Sequence, residues 1–220
     1  LMIPKPESAE DVERAVATID AACEHHGQPR PPLQVLIETH GALRDVFRIA
    51  ANPRIESLSF GLMDFVSAHG GAIPKAAMEL PGQFEHPLVV RAKLEIAAAS
   101  HAYGKAPSHC VVTEFRDAER LGAAARRAAR EFGYTRMWSI HPDQIRPILE
   151  AFAPGADEVA EAAELLLQAQ AAQWAPISFH DRLHDRASYR YFWTVLESAR
   201  RTGRPLPAAA QQAFFTGSPG

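Results

Sequence analysis

The sequence predicts an α/β fold built around a parallel β-sheet. Short apolar segments typical of buried strands alternate with longer segments in which apolar residues recur at helical spacing. This alternation is typical of right-handed β/α crossovers. Periodicity alone leaves two arrangements open, an open doubly wound sheet and an arc of an eight-stranded barrel. In both, the loops that follow the strands meet at one edge of the sheet, where ligands bind.

Strands and helices are predicted to alternate up to residue 152. The strands are Leu1–Pro4, Leu33–Glu38, Ile55–Gly61, Ser108–Val112 and Arg136–His141. The helices are 9–25, Gly41–Ala51, 86–103, Asp117–Phe132 and Gln144–Phe152. Ser8 and Asp11 form a capping-box pattern at the start of the first helix. The Gly- and Pro-rich segment 67–83 predicts a long loop, and such loops are often functional.

The last third of the chain differs in character from what precedes it. Two amphipathic helices are predicted there, one rich in alanine and one with an aromatic stripe from Tyr189 to Leu196, and no further strand. We therefore expect a β/α portion at residues 1–152 and a C-terminal helical extension at residues 153–220. The aromatic stripe suits docking on another subunit.

The composition excludes several classes of protein. The 220 residues are 47% hydrophobic and 22% charged, which is typical of a globular protein. A net charge of −3 without a basic block argues against nucleic acid as a partner, and no apolar run approaches the ~20 residues that span a membrane. Neither a signal peptide nor a CxxC pair is present, so we expect a cytoplasmic protein without disulfides. Because the chain opens inside a strand, we expect further residues upstream.

Two carboxylates follow predicted core strands. Glu38 ends the strand in "LQVLIETHGALRDV", and Asp64 follows the strand in "LSFGLMDFV". Either acid alone is explained by its place at the start of a helix, where the helix dipole favours a negative charge. On neighbouring strand ends, however, the two would repel each other unless a cation lay between them. Two carboxylates completed by water and substrate oxygens suit Mg²⁺, with Mn²⁺ as the alternative.

The residues just before Asp64 are candidates for substrate binding. Gly61 either permits a tight turn or lets the backbone approach a ligand closely. In the second case, the amides of Leu62 and Met63 would hold a substrate carboxylate beside the metal.

The histidines give weaker signals. His141, after the fifth strand, is predicted to have a structural role at the rim of the sheet. His180 and His184 have the i, i+4 spacing of a metal-binding pair on a helix, but the HExxH pattern is absent, and a solvated helix start is predicted instead. P-loop, GxGxxG and GxSxG motifs are also absent.

Taken together, these segments resemble the HpcH/HpaI aldolase and citrate lyase family, and most of all its citrate lyase β-subunit-like branch. The matching segments run in the family order and cover nearly all of residues 1–160. They are "LMIPKPESAEDV", "VLIETHGAL", "LSFGLMDFV", "VVRAKLEIAAASHAYG", "TEFRD" and "MWSIHPDQIRPILEAFAP". The spacing of 26 residues between Glu38 and Asp64 also fits the family pattern.

The resemblance implies a fold, a cofactor and a reaction. The fold is a (β/α)8 TIM barrel, of which this chain would hold about the last five strands. Glu38 and Asp64 would hold Mg²⁺, and the backbone amides before Asp64 would bind the substrate carboxylate. The implied enzyme is a carbon–carbon lyase that acts through a metal-stabilised enolate of an acyl-CoA or a 2-oxo acid. The family's substrate-contacting arginine would lie upstream of this chain.

The resemblance also suggests an assembly. In the family, a C-terminal lid carries an aspartate that closes over the active site of a neighbouring subunit, in homotrimers or hexamers. "RLHDRASY" matches that segment and puts Asp185 at the catalytic position. The alternative for Asp185 is a solvent-facing acid at the start of a helix.

Four positions depart from the family pattern. They are Pro6, Met63, His109 and Met137. These departures leave two further hypotheses open. One is a 2-oxo acid aldolase of the same family, and the other is a non-catalytic binding protein on a divergent barrel.

Overall fold

The computed structural model describes residues 1–114 and 116–216. Phe115, in the "TEFRD" segment, therefore lies outside the described residues. The chain divides into two compact units, Leu1–Phe152 and Ala153–Gly220.

The first unit is built on a five-stranded, all-parallel sheet. Its strands are β1 (Met2–Ile3), β2 (Leu33–Ile37), β3 (Ile55–Phe60), β4 (Ala106–His109) and β5 (Arg136–Met137). They lie side by side in chain order, β1-β2-β3-β4-β5. The prediction of an α/β fold with a parallel sheet is confirmed, and the sequential order is that of a β/α barrel.

The bounds of the last two strands of this sheet differ from the prediction. β4 begins two residues earlier than the predicted Ser108–Val112 and ends at His109, and β5 is four residues shorter than predicted. The apolar residues Cys110 and Val112 are buried in side-chain clusters outside the ladder. An apolar run in a sequence indicates that its residues are buried, but it does not show that each of them pairs with a neighbouring strand.

Helices connect the strands. They are α1 (Ala9–His25), α2 (His40–Arg44), α3 (Val46–Ala51), α4 (Leu62–Ser67), α5 (Pro87–Ala102), α6 (Ala118–Glu131) and α7 (Ile145–Phe152). The bounds of α1 agree with the prediction, and the Ser8 hydroxyl caps it by accepting from the Asp11 amide at 3.2 Å. The predicted loop at 67–83 contains short 3₁₀ turns, at Lys75–Met78 and, at its end, Gly82–Phe84.

The single helix predicted at Gly41–Ala51 is wrong, because the chain breaks at Asp45 into α2 and α3. The Asp45 carboxylate accepts a hydrogen bond from the Ala9 amide at 3.1 Å, at the start of α1. It also pairs with Arg44 at 2.8 Å. Asp45 therefore interrupts the helix, and its buried carboxylate connects the start of α1 to the segment between α2 and α3.

The main core lies between the sheet and its helices. Leu33, Val35 and Ile37 alternate along β2 and are fully buried in one cluster with Val12 of α1 and Ile49 of α3. This alternation sends the intervening residues of β2 to the opposite face of the sheet, which is the face that carries Glu38.

A second core contains a buried lysine. Lys93 of α5 is fully buried, and its Nζ lies 3.8 Å from the centroid of the Phe84 ring and 3.2 Å from Gln83 Oε1. Among the described residues, Lys93 forms no ion pair with a carboxylate, and burial lowers the pKa of Lys93 to about 8. The charged lysine is thus held by a ring face and an amide oxygen.

The second unit contains helices and a β-hairpin. The elements are α8 (Ala156–Ala171), β6 (Ile177–Phe179), β7 (Arg182–His184), α9 (Arg186–Arg201) and α10 (Ala208–Phe215). The prediction of no further strand is wrong, as is the helix start predicted around His180 and His184. His180 and Asp181 have positive φ angles of 48° and 57° and form the two-residue turn between β6 and β7. His-Asp is a weak turn signal compared with Asn-Gly, which is why the sequence did not predict the hairpin.

Among residues 1–114 and 116–216, every helix is too short or too polar to cross a lipid bilayer.

We expect Lys93→Met to stabilise the protein at pH 7 by about 1–3 kcal/mol, because the lowered pKa of Lys93 means that folding disfavours its charged form. The cost of that charge is present below pH 8 and disappears as the pH rises from about 8 towards the unfolded value of 10.5. Thermal unfolding of wild type and variant at pH 7 and pH 10 measures this. A stability difference that does not shrink with rising pH would contradict the prediction.

We expect Asp45→Asn to make the protein less sensitive to acid. The ion pair with Arg44 and the Ala9 amide hold the pKa of Asp45 at about 2, below its usual 3.8. Its stabilising contribution is therefore present above pH 3.8 and is lost as the pH falls towards 2. In acid titrations followed by circular dichroism, wild type should lose more stability than the variant between pH 4 and pH 2. Equal losses would show that Asp45 does not contribute.

Candidate metal centre

Three neighbouring strand ends bring charged side chains together. Lys5 follows β1, Glu38 follows β2, and Asp64 lies in the first turn of α4 after β3. The Lys5 amide donates a hydrogen bond to Glu38 Oε1 at 3.0 Å. The Lys5 ammonium donates to Asp64 Oδ1 at 2.7 Å. One lysine thus contacts both of the carboxylates that the sequence predicts as metal ligands.

The register of the sheet sets Gly61 against Glu38. Ile37 is the partner of Phe60, and the Gly61 amide donates to the Ile37 carbonyl at 2.9 Å. A Cβ on Gly61 would lie 2.5 Å from Glu38 Cβ and 2.6 Å from Glu38 Oε2. The φ angle of Gly61 is −92°, which any residue adopts. A glycine is therefore needed here for the close approach of Glu38, and not for a special turn conformation.

The two carboxylates have different environments. Glu38 is only 3% exposed, and burial raises its pKa, with the Asp64 charge acting in the same direction and the Lys5 amide opposing it. The side chain of Asp64 is half exposed, and the ammonium of Lys5 lowers its pKa. The Glu38 carboxylate is thus held inside the protein, while the Asp64 carboxylate faces solvent beside the exposed ammonium of Lys5.

The arrangement fits a hard divalent cation held by few protein ligands. No cluster of three or more His, Cys, Asp or Glu side chains that could hold a metal occurs in residues 1–114 and 116–216. A site here would therefore use Glu38 and Asp64, with water or substrate oxygens completing the shell. Mg²⁺ is commonly held in this way, by one or two carboxylates and retained waters.

Backbone amides lie next to this pair. Leu62 and Met63 occupy the first turn of α4, before the first intrahelical bond, from the Phe65 amide to the Gly61 carbonyl. First-turn amides have no acceptor within their own helix and can donate to a ligand. The Leu62 side chain is buried and anchors the turn, while Met63 is partly exposed.

Comparison with known proteins identifies the family. The model of the HpcH/HpaI aldolase/citrate lyase family matches residues 1–142, which include the whole of this site. The chain belongs to that family. The resemblance predicted from the sequence segments is confirmed, and the parallel sheet is part of a β/α barrel.

The chain is similar to several lyases of this family. The L-malyl-CoA/beta-methylmalyl-CoA lyase of Cereibacter sphaeroides is 33% identical over 213 residues, covering 90% of this chain and 66% of its own. A citrate lyase structure from Burkholderia xenovorans is 58% identical with a TM-score of 0.89, covering 97% of this chain and 67% of the other. A citrate lyase beta subunit from M. tuberculosis, complexed with oxaloacetate and magnesium, is 25% identical with a TM-score of 0.56, covering 70% and 60%. The chain thus spans 66% of the length of the curated relatives that it matches first.

Asp185, the predicted catalytic residue, and His141, predicted to be structural, both have structural contacts. Asp185 lies in the second unit at the start of α9, where its side chain accepts from the Ala187 amide at 2.9 Å. His141 caps the 3₁₀ turn Pro142–Gln144 by accepting from the Asp143 amide at 3.2 Å, as a structural role requires. The hydrogen bond from the Ala187 amide supports the alternative that Asp185 caps a helix. The catalytic role of Asp185 stays a prediction.

The departures from the family pattern leave the carboxylate pair intact. His109 is fully buried, with its ring stacked on Phe84 at 5.2 Å, and burial lowers its pKa well below the usual value. Pro6 is buried beside Lys5, and Met137 is partly buried in β5. None of these side chains supplies or removes a carboxylate at the site.

Sequence reasoning missed Lys5. The signal was available in "LMIPKPES", because Lys5 follows a strand just as Glu38 does. Only acids were expected as metal ligands at the strand ends, and a lysine there does not by itself indicate that it contacts acids distant in the chain.

We expect Gly61→Ala to destabilise the protein by about 1–3 kcal/mol, because the new methyl group would overlap the Glu38 side chain. Thermal unfolding measures the effect. Gly122→Ala, in the interior of α6, is the matched control. Its Cβ would meet only the end of the Arg126 side chain at 3.4 Å, so we expect it to be neutral or stabilising. Equal effects of the two changes would show that Gly61 is not needed for the approach of Glu38.

Proposed function

We propose that this protein is a Mg²⁺-dependent carbon–carbon lyase that cleaves or forms a C–C bond in an acyl-CoA thioester or a 2-oxo acid. The observation that carries the proposal is the pair of carboxylates on adjacent strand ends, Glu38 buried and Asp64 open to solvent. Asp64 is in contact with a cation, the ammonium of Lys5.

The bound metal would supply a Lewis acid for the negative charge that develops on a substrate oxygen as the C–C bond breaks. Glu38 and Asp64 would hold it, with water or substrate oxygens as the remaining ligands. The free amides of Leu62 and Met63 would donate to a substrate carboxylate, so that the scissile bond is held in one orientation. The buried surroundings of Glu38 strengthen these electrostatic contacts.

The substrate class is supported by the relatives. The Cereibacter sphaeroides relative is a lyase of malyl-CoA thioesters. The M. tuberculosis citrate lyase beta subunit was solved with magnesium and a 2-oxo acid, oxaloacetate. Malyl-CoA and oxaloacetate both carry a carboxylate and a carbonyl group. The proposed site offers a partner to each group.

We further propose a homotrimer or hexamer in the cytoplasm, in which Asp185 reaches the site of a neighbouring subunit. Asp185 is exposed at the start of α9 and is available to such a partner. Cys23 and Cys110 are both free thiols, which suits a reducing compartment.

Removal of either carboxylate tests the proposal. We expect the full-length protein to bind Mg²⁺ in calorimetry, and Glu38→Gln and Asp64→Asn each to weaken binding on the order of tenfold or more, because each removes a charged ligand. Release of glyoxylate from L-malyl-CoA should fall in both variants.

Glu56→Gln is the matched control, because Glu56 is an exposed carboxylate of β3 that pairs with Arg136 at 2.7 Å and lies outside the site. It should leave Mg²⁺ affinity unchanged. A wild-type protein that binds no Mg²⁺ would refute the proposal. Release of pyruvate from a 4-hydroxy-2-oxo acid, without cleavage of malyl-CoA, would identify the aldolase alternative instead.

A further inference from the structure

The backbone of Lys5 is held in an unfavourable conformation. Its φ angle is +49°, in the left-handed region that residues other than glycine seldom adopt. Lys5 also lies between Pro4 and Pro6, and a residue before proline is driven towards extended backbone. Strain of this kind persists only where the surroundings impose it, and it is concentrated at functional sites.

Three contacts from the end of β2 impose this conformation. The Lys5 amide donates to Glu38 Oε1 at 3.0 Å. The Thr39 hydroxyl donates to the carbonyl of Pro6, the next residue. Gly41 packs so closely on the backbone of Glu7 that a Cβ there would overlap the Glu7 carbonyl. The segment after β1 is therefore clamped at Lys5 itself and at the two residues that follow it.

The clamp directs the lysine to the carboxylates. With the amide fixed on Glu38, the side chain extends to Asp64 Oδ1 at 2.7 Å. The charge of Glu38 also acts on the ammonium, and it favours the charged lysine as Asp64 does. The ammonium of Lys5 thus partly neutralises the negative charge of both carboxylates.

The ammonium is nevertheless exchangeable. The side chains of Lys5 and Asp64 are 64% and 51% exposed, so the ion pair lies in solvent and contributes little to stability. A long flexible lysine side chain can swing out into water while its backbone remains clamped. A divalent cation that approaches Asp64 would meet the same oxygen that the ammonium occupies.

We propose that Lys5 is an internal competitor for the metal: its ammonium occupies Asp64 in the metal-free site, and Mg²⁺ binds by displacing it. This inference rests on the proposed function, because it concerns the same pair of carboxylates. Lys5 would thereby set the affinity of the site and keep the two acids compensated while the metal is absent.

The direction of the effect follows from electrostatics. A bound divalent cation must first break the Lys5–Asp64 pair and then tolerate a positive charge nearby. Removal of the ammonium removes both costs, so the affinity for Mg²⁺ should rise, on the order of three- to tenfold. Without metal, the two carboxylates would repel each other uncompensated, so the stabilisation on adding Mg²⁺ should also be larger.

The test compares Mg²⁺ affinity by calorimetry, and the shift in melting temperature on adding Mg²⁺, in full-length wild type, Lys5→Met and Lys5→Gly. Both variants keep the backbone amide that donates to Glu38, and glycine also relieves the left-handed strain. Both should bind Mg²⁺ more tightly than wild type. Lys5→Arg, which keeps the charge, should not.

Lys75→Met is the control for the change in net charge. Lys75 is an exposed lysine that pairs with Glu79 at 3.3 Å, outside the carboxylate site. It should leave the affinity for Mg²⁺ as in wild type. An equal gain in Lys75→Met and Lys5→Met would reduce the effect to overall charge and overturn the proposal.

Two further outcomes distinguish failure of the role of Lys5 from failure of the metal site. Unchanged or weaker Mg²⁺ binding in both Lys5→Met and Lys5→Gly, with a wild type that binds, would overturn the role of Lys5 and leave the lyase proposal standing. Absence of Mg²⁺ binding in wild type and in both variants would overturn the metal site itself, and the role of Lys5 with it.

Discussion

The parallel pairing of β2 with β3 is the constraint on which the site depends. The ladder runs from Leu33, with a shift of register before Gln34, to the hydrogen bond between the Gly61 amide and the Ile37 carbonyl. This register fixes the lateral position of Glu38, and the missing side chain at Gly61 leaves room for its carboxylate. A slip of one residue would send Glu38 to the helix-packed face of the sheet.

The positive charge of Lys5 is the second requirement of the site. Two carboxylates on adjacent strand ends repel each other unless positive charge lies nearby, and Lys5, which follows β1, supplies it. The clamp at Glu38, Thr39 and Gly41 makes the strained backbone of Lys5 part of the folded state. The site is therefore assembled by three strands, although the chemistry proposed for it needs ligands from only two.

Polar links hold the helices around this frame. Asp45 interrupts a helix to receive the first amide of α1, so the crossover before β2 and the one after it are joined by a buried carboxylate. In α5, Lys93 is buried against Phe84 and Gln83. Asp45 thus gives up a regular helix, and Lys93 gives up solvation of its charge, in return for contacts between separate elements of the fold.

The sequence by itself determined the alternation of strands and helices, the bounds of α1, the family and the carboxylates at 38 and 64, because periodicity, capping and short motifs are local properties. Only the tertiary structure decided why residue 61 is glycine, that the helix breaks at Asp45, that β6 and β7 form a hairpin, and that Lys5 joins the acids. These depend on contacts between residues distant in the chain, such as the 59 positions from Lys5 to Asp64. Strand register and side-chain packing, which set those contacts, leave no periodic trace in the sequence.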